Sequence, residues 1–195
     1  MKLKVIGSGS SGNCYLLEDE NTALVIEAGV VFSKVKEALD FNVSKVVGVL
    51  CSHEHGDHFK YVKDFLKAGI DVYCSKGTAG ELKHHRLHYV SDLQRFQVGE
   101  FKIMPFSVIH DAAEPVGFIV NHPDTGNILF LTDSYFSEYI FKDLRHILLE
   151  VNYDETILEE NVRSGRVHES MRHRIITNHM GLGTAIDLLA ANDLS

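Results

Sequence analysis

The sequence predicts an α/β fold with helices outside packed sheets, on three observations. Short strand-like runs punctuated by glycine fill the opening half. Apolar runs of strand length recur at Val46–Leu50, 127–132 and 146–151. Segments with helical spacing follow several of these runs. Strands first, then strands mixed with helices, is the order of sheets covered by helices. The length, 195 residues, suits one domain over 1–195 with a sizeable core and is short for two. No repeat, low-complexity run or linker-like stretch interrupts it.

Residues 2–6 read as a strand, followed by the tight loop Gly7-Ser8-Gly9-Ser10-Ser11-Gly12-Asn13. Residues 14–17 and Ala23–Ile26 form a hairpin pattern around Asp19-Glu20-Asn21. Ser33 is placed to cap a helix through Val35, Ala38 and Leu39. Val46–Leu50 is apolar without alternation, as a strand buried on both faces should be, and it ends at a histidine cluster. Phe59, Val62, Phe65 and Leu66 give residues 59–68 helical spacing; 70–74 reads as a strand and 78–83 as a short helix. Residues 94–110 and 116–121 are β-rich. The run 127–132 ends at Asp133, and 146–151 ends at Asn152. Helices are expected at 155–162, 168–176 and 184–191.

Composition narrows the function classes. No stretch approaches the roughly 18 apolar residues of a membrane span, and the apolar start is too short for a signal peptide, so a cytoplasmic location without membrane association is expected. Cys14, Cys51 and Cys74 form no C-x-x-C pair and lie among apolar neighbours, which reads as buried reduced thiols. A net charge of −8 argues against a broad basic platform for nucleic acid. It leaves room for a nuclease, because bound metal ions supply local positive charge. Twelve histidines, several beside acidic residues, direct attention to metal ligands.

The chemistry concentrates in His53-Glu54-His55-Gly56-Asp57-His58. In an extended segment residues two apart share a side, so His53 and His55 can converge on one ion. A turn at Gly56 lets Asp57 and His58 open the next helix and face the same space. Three imidazoles and a carboxylate suit zinc, manganese or iron, as ligands of one ion or split between two. Further ligands are expected at other strand ends: His110 after the run 101–109, and Asp133 after 128–132, where a carboxylate can bridge two ions.

His53-x-His55-x-Asp57-His58, with His110 and Asp133 downstream, resembles the metallo-β-lactamase-fold metallohydrolase superfamily. The resemblance implies a four-layer αββα sandwich with a dinuclear site at its strand-end edge. It implies that His53, His55 and His110 bind one ion, that Asp57 and His58 bind the other, and that Asp133 bridges them. Asp57 and Asp133 thereby become catalytic as well, holding two divalent ions, zinc first and manganese or iron as alternatives, that activate the attacking water. Gly9-Ser10-Ser11-Gly12-Asn13, Ser52 before His53, His110-Asp111-Ala112-Ala113-Glu114-Pro115-Val116-Gly117, Leu131-Thr132-Asp133 and Glu150-Val151-Asn152-Tyr153-Asp154 look like the YycJ/WalJ-like nuclease branch. That branch implies a DNA substrate, phosphodiester hydrolysis and exonuclease activity in the 5′-to-3′ direction.

Two departures accompany the resemblance. The family has aspartate where Ile26-Glu27-Ala28-Gly29 offers Glu27, a carboxylate one methylene longer supporting a ligand histidine. It also expects a last metal histidine after a late strand, so the last strand and helix are expected to be missing and the second site short of a ligand, in a truncated form or a natural variant. His179 matches an earlier family histidine near the site, placed to contact substrate or to fill that position.

Asn13 and Glu27 join the set as substrate-binding or supporting residues, with His179, Arg172 and Arg174. The patch Arg163, Arg166, Arg172, His173 and Arg174 suits phosphate contacts or a solvated helix face equally. His84-His85-Arg86-Leu87-His88 reads as a solvated helix end, and the 7–13 loop, lacking a P-loop lysine, as a turn lining the site edge. Three functions follow: a metal-dependent phosphodiesterase or exonuclease on DNA, a metallohydrolase of a small ester, thioester or lactone, and a non-catalytic metal-binding remnant.

Overall fold

The computed structural model describes residues 1–194 and divides into two compact units, Met1–Pro105 with Ala112–Val116, and Phe106–Asp111 with the residues from Gly117 onward.

In chain order the first unit contains β1 (Lys2–Gly7), β2 (Cys14–Glu18), β3 (Ala23–Ile26), α1 (Phe32–Ala38), β4 (Val46–Leu50), α2 (Gly56–Phe59), α3 (Val62–Lys67), β5 (Val72–Cys74), α4 (Lys76–Ala79), β6 (Leu87–Tyr89) and β7 (Phe96–Val98). Then come β8 (Phe101–Ser107), β9 (Val116–His122), β10 (Gly126–Leu131), β11 (Leu144–Leu149), α5 (Glu155–Arg163), α6 (Glu169–Asn178) and α7 (Leu182–Ala191). Among the described residues there are two sheets, ordered β1-β2-β3-β4-β5-β6 and β11-β10-β9-β8-β7.

The first unit's sheet changes character at β3. β1, β2 and β3 are antiparallel neighbours joined by short turns, whereas β3, β4, β5 and β6 run parallel and are separated in sequence by helices. Parallel neighbours need crossovers, and α1, α3 and α4 belong to them. The core of the unit gathers Leu16, Val25, Val35, Val49, Cys51, Phe65 and Val72, all essentially inaccessible. Cys14, Cys51 and Cys74 are free, buried thiols, and burial pushes the Cys74 thiol up to about 12.

Several sequence expectations shift for reasons visible in the backbone. Residues 59–68 form no continuous helix; α2 stops at Phe59 and α3 begins at Val62. The segment after β3 takes the backbone bonds in between, with Ala28 N–H donating to the His58 carbonyl at 2.8 Å and Tyr61 N–H donating to the Ala28 carbonyl at 3.0 Å. Ser33 lies inside α1, whose cap position is Val31 with no side-chain cap bond. The helix expected at 78–83 sits earlier, at Lys76–Ala79, capped by Ser75 Oγ, which accepts the Thr78 N–H at 3.0 Å, and followed by left-handed Gly80. Leu87–Tyr89 is a short strand rather than a helix end, paired parallel to β5, and both Arg86 and His88 reach Asp71, at 3.2 and 3.3 Å.

In the second unit β9 and β10 form an antiparallel hairpin and β10 pairs parallel with β11. The strand before His110 ends at Ser107 rather than at residue 109. α5 is capped by Asp154, whose carboxylate accepts the Ile157 N–H at 3.0 Å. α6 carries no buried residue. No described helix is long and apolar enough to cross a membrane.

Candidate metal centre

The first unit gathers its predicted ligands where β3 and β4 end side by side. Beyond Leu50 the chain leaves the strand, bends at Glu54 and His55, and has His55 at the cap position of the single turn α2. The rings of His53 and His55 nevertheless come together, with centroids 4.6 Å apart, edge to face. The turn at Gly56 brings His58 back, its ring 4.2 Å from that of His53, and places Asp57 Oδ2 3.3 Å from His58 Nε2. All four predicted side chains of this unit therefore share one place.

Their surroundings select which nitrogens face the centre. Ser52 Oγ lies 2.9 Å from His53 Nδ1, and Glu27 Oε2 lies 3.6 Å from His58 Nδ1. Oxygen partners on the Nδ1 side orient imidazoles to present Nε2 to a metal. Glu27 is 0% exposed, sits at φ 71°, and also accepts the Ser52 N–H at 3.4 Å. A left-handed glutamate is strained, and the strain is held by its N–H bond to the Leu50 carbonyl at 2.8 Å.

Glycine makes the close approach possible. Asn13 N–H donates to the Asp57 carbonyl at 2.7 Å, and Gly29 N–H donates to the Asn13 carbonyl at 3.0 Å. A Cβ on Gly29 would stand 1.7 Å from the Asp57 carbonyl oxygen, so only glycine lets these three segments meet. Gly12, at φ +138°, turns the loop so that Asn13 enters the site edge, with its amide nitrogen 3.0 Å from His58 Nε2. The loop thus does more than line an edge. Glu54, unmarked by sequence reasoning, points away from the histidines on either side and accepts the Ala113 N–H at 2.8 Å. Its place between two ligand-type residues in an alternating segment was the available signal.

The second unit gathers a different set. His110 Nδ1 lies 3.0 Å from the Asn178 carbonyl oxygen, which makes Nδ1 the donor, and Nε2 lies 3.4 Å from Asp111 Oδ1. Asp133 follows β10 in the left-handed region at φ 44°, and its N–H donates to Glu150 Oε2 at 2.8 Å. His179 Nδ1 lies 3.1 Å from Glu150 Oε1 and 3.4 Å from Asp133 Oδ1. Hydrogen bonds to Asp133 and then Glu150 push the His179 imidazole up to about 10, against the opposing effect of its partial burial. Asp133, Glu150 and His179 bring one donor atom each close enough together to hold an ion. Glu150 was missed as a site residue because the strand was expected to run to Val151; it ends at Leu149, and Glu150 is the strand-end carboxylate.

The basic patch divides. Arg172 is held by Glu159 at 2.5 and 2.8 Å and by Glu169 at 3.4 Å, so its guanidinium is committed within the unit. Arg174 makes a looser contact with Asp111, 3.9 Å, and remains mostly exposed.

Imidazole nitrogens gathered beside carboxylates are the donor chemistry of zinc, manganese or iron sites. The residues gathered within each unit fit such an ion. A fold of two sheets with helices, carrying this donor set, defines a metallohydrolase of the metallo-β-lactamase type. Residues 26–193 match the Beta-lactamase superfamily domain, and the chain belongs to that family.

The chain is 29% identical over 196 residues to the exodeoxyribonuclease YycJ of Bacillus anthracis, covering 91% of this chain and 71% of that protein. It is 28% identical over 193 residues to the exodeoxyribonuclease WalJ of Streptococcus pneumoniae serotype 2, covering 91% and 70%. Among solved structures it resembles the metallo-β-lactamase fold protein YhfI from Bacillus subtilis, with a TM-score of 0.69 at 17% identity over 94% of this chain and 78% of that one. It resembles the short form of human tRNase Z with a TM-score of 0.69 at 15% identity, over 98% and 88%. These structural likenesses are likenesses of fold. They agree with the α/β fold class expected from the sequence.

Proposed function

We propose that this chain is a metal-dependent phosphodiesterase that degrades DNA from an end. The observation that carries the reading is the convergence of His53, His55, Asp57 and His58 on one place, with Ser52 Oγ on Nδ1 of His53. The nuclease names of the relatives at 28–29% identity support phosphodiester over other ester chemistry. In this reading His53, His55, Asp57 and His58 in the first unit and His110 and Asp133 in the second would be the ligands of divalent ions. Zinc is the first candidate, manganese or iron the next. Such ions supply Lewis acidity and lower the pKa of an attacking water.

The chain's own residues do the positioning. Ser52 fixes the imidazole of His53 and the Asn178 carbonyl fixes that of His110, while the Glu27 carboxylate faces Nδ1 of His58 at 3.6 Å. Asp57 and Asp133 contribute carboxylates whose backbones are locked by Asn13 and Glu150. His179 keeps a proton on Nδ1 against Asp133 and Glu150 and so offsets negative charge where a phosphate approaches. Arg174, loosely held, is available to a phosphate oxygen.

The test is incubation of zinc- or manganese-loaded protein with 5′-labelled duplex DNA, beside a panel of chromogenic esters and phosphodiesters. Stepwise shortening of DNA, abolished by chelation and by His55→Ala, is the expected result. Turnover of carboxylic esters with intact DNA would move the substrate to a small ester, thioester or lactone. Metal binding with neither activity would leave a metal-binding remnant.

A further inference from the structure

Asn13 stands where a third ligand to the ion at Asp57 and His58 would stand, and we propose that its side-chain carbonyl oxygen binds that ion. The proposal rests on the metal reading above and adds to it a ligand that lies far from the histidine cluster in sequence.

Three distances define the position. The Asn13 amide nitrogen is 3.0 Å from His58 Nε2 and 3.5 Å from Asp57 Oδ2, and those two atoms are 3.3 Å from each other. Ligand atoms held at about 2.0–2.2 Å from one ion lie about 2.8–3.1 Å apart at a square angle and about 3.3–3.6 Å apart at a tetrahedral one. The triangle has the dimensions of one face of a coordination shell. The backbone pins Asn13 there through its N–H to the Asp57 carbonyl and its carbonyl to the Gly29 N–H. The residue is 6% exposed, so its side chain has few other places to go.

In the orientation described, the amide donates toward Nε2 of His58, the nitrogen a metal requires. A lone pair serves one partner at a time, so this N–H and an ion on Nε2 exclude each other. A carboxamide turned over by 180° puts oxygen where nitrogen was, with almost no change of shape. The same contact then becomes a ligand instead of an obstacle.

The turn gives up the bond in which Oδ1 accepts the Gly9 N–H at 2.9 Å, together with the 3.3 Å contact from Nδ2 to the Gly9 carbonyl. Both involve an exposed glycine at φ +121° with nothing within 4 Å of a Cβ position, so the loop has room to re-pair. The Tyr15 hydroxyl, 3.5 Å from Oδ1, can accept from the amide nitrogen that replaces it.

The experiment separates a ligand from a mere competitor, because the two predict opposite signs. Zinc and cobalt affinities of the full chain are measured by calorimetry against a competing chelator, for wild type, Asn13→Ala and Asn13→Asp. A ligand role requires Asn13→Ala to weaken one of the sites by about tenfold or more, the scale on which the removal of metal-site partners acts. Asn13→Asp, keeping an oxygen in place, should bind at least as tightly as wild type. The visible spectrum of the cobalt form should weaken in Asn13→Ala, where water replaces the oxygen and coordination rises, and should persist in Asn13→Asp.

Equal or tighter binding by Asn13→Ala overturns the proposal while leaving the metal reading intact, and so does a loss of affinity in Asn13→Asp. Absence of any ion from the wild type overturns both. Thermal unfolding of the metal-free variants identifies a folding defect. Should Asn13→Ala fail to fold, Asn13→Leu, similar in shape and with neither donor nor acceptor, takes its place: weaker binding supports the ligand role, and equal or tighter binding overturns it.

Discussion

The two units hold their site residues by different means. The first relies on backbone: Asn13, Ala28, Gly29, Asp57 and His58 exchange main-chain hydrogen bonds of 2.7–3.0 Å, and glycine at position 29 leaves no space for anything larger. The second relies on charge: Asp133, Glu150 and His179 form an acid–base cluster of half-buried side chains, and Arg174 reaches Asp111 only loosely. Both place a strand-end carboxylate in the left-handed region, Glu27 at φ 71° and Asp133 at φ 44°. Strain marks the two sites alike. The difference predicts that the first set responds steeply to added volume and little to pH, and the second the reverse.

Gly29→Ala should produce the largest effect. Its methyl would stand 1.7 Å from the Asp57 carbonyl oxygen and 2.7 Å from the Asn13 nitrogen, both backbone atoms that cannot swing aside. A loss of at least about 4 kcal/mol is expected, among the largest single-residue changes known, read as the urea midpoint. A wild-type midpoint would show that this backbone junction yields, and the contrast between the units would fail.

Next in size is Glu18→Gln, which tests whether the first unit's pH response lies away from its site. Glu18 is 5% exposed between Lys4 and Lys45, each 2.5 Å away. Burial works to raise its pKa, but hydrogen bonds and attraction from the two ammonium groups override it and leave the pKa lowered. A lowered folded-state pKa means stability present above the ordinary glutamate range and lost as pH falls through the folded value. The substitution should cost about 3 kcal/mol at pH 7, as breaking a buried pair does. Urea midpoints should converge as the buffer is made strongly acidic.

His179 gives the second unit the opposite dependence. Its pKa is raised to about 10, so its contribution is complete below about 6.5 and disappears as pH rises through 10. In metal-free protein His179→Gln should cost about 2 kcal/mol near neutrality, a figure discounted because the ring is 24% exposed. The cost should shrink in alkaline buffer. A ring titrating near 6.5 by NMR would remove the acid–base cluster from the comparison.

The same contrast explains what was legible in the sequence. The first unit's ligand set could be read because His53, His55, Asp57 and His58 are neighbours in the chain, and strand alternation plus one glycine turn converts spacing into convergence. The apolar run Val46–Leu50, without alternation, announced the buried parallel strand that delivers them. Glu150 escaped because its role depends on where β11 stops, and a shift of two residues separates a strand interior from a strand end. The break between α2 and α3 escaped for a different reason. Spacing at Phe59, Val62, Phe65 and Leu66 is helical, and only the distant Ala28 backbone interrupts it. Arg172 and Arg174 look equivalent in sequence, and nothing nearby reveals that Glu159, thirteen positions away, claims one of them.

That last pair yields the smallest and most discriminating effect. With Nε and Nη2 held by Glu159 and Nη1 by Glu169, Arg172 has little to offer a phosphate, and its replacement by alanine should leave DNA affinity unchanged. Arg174, whose contact with Asp111 is 3.9 Å, should lower affinity when replaced. Removing a single cation–phosphate interaction reduces the slope of log affinity against log salt by about 0.9 on duplex DNA. Fluorescence anisotropy across a salt series, with metal-free protein to prevent cleavage, resolves that change. If Arg172→Ala also flattens the slope, the Glu159 pair opens on binding, and the second unit's charged cluster is a rearranging surface rather than a fixed one. If neither variant does, the phosphate path lies elsewhere, and α6 acts in this protein only as a solvated helix.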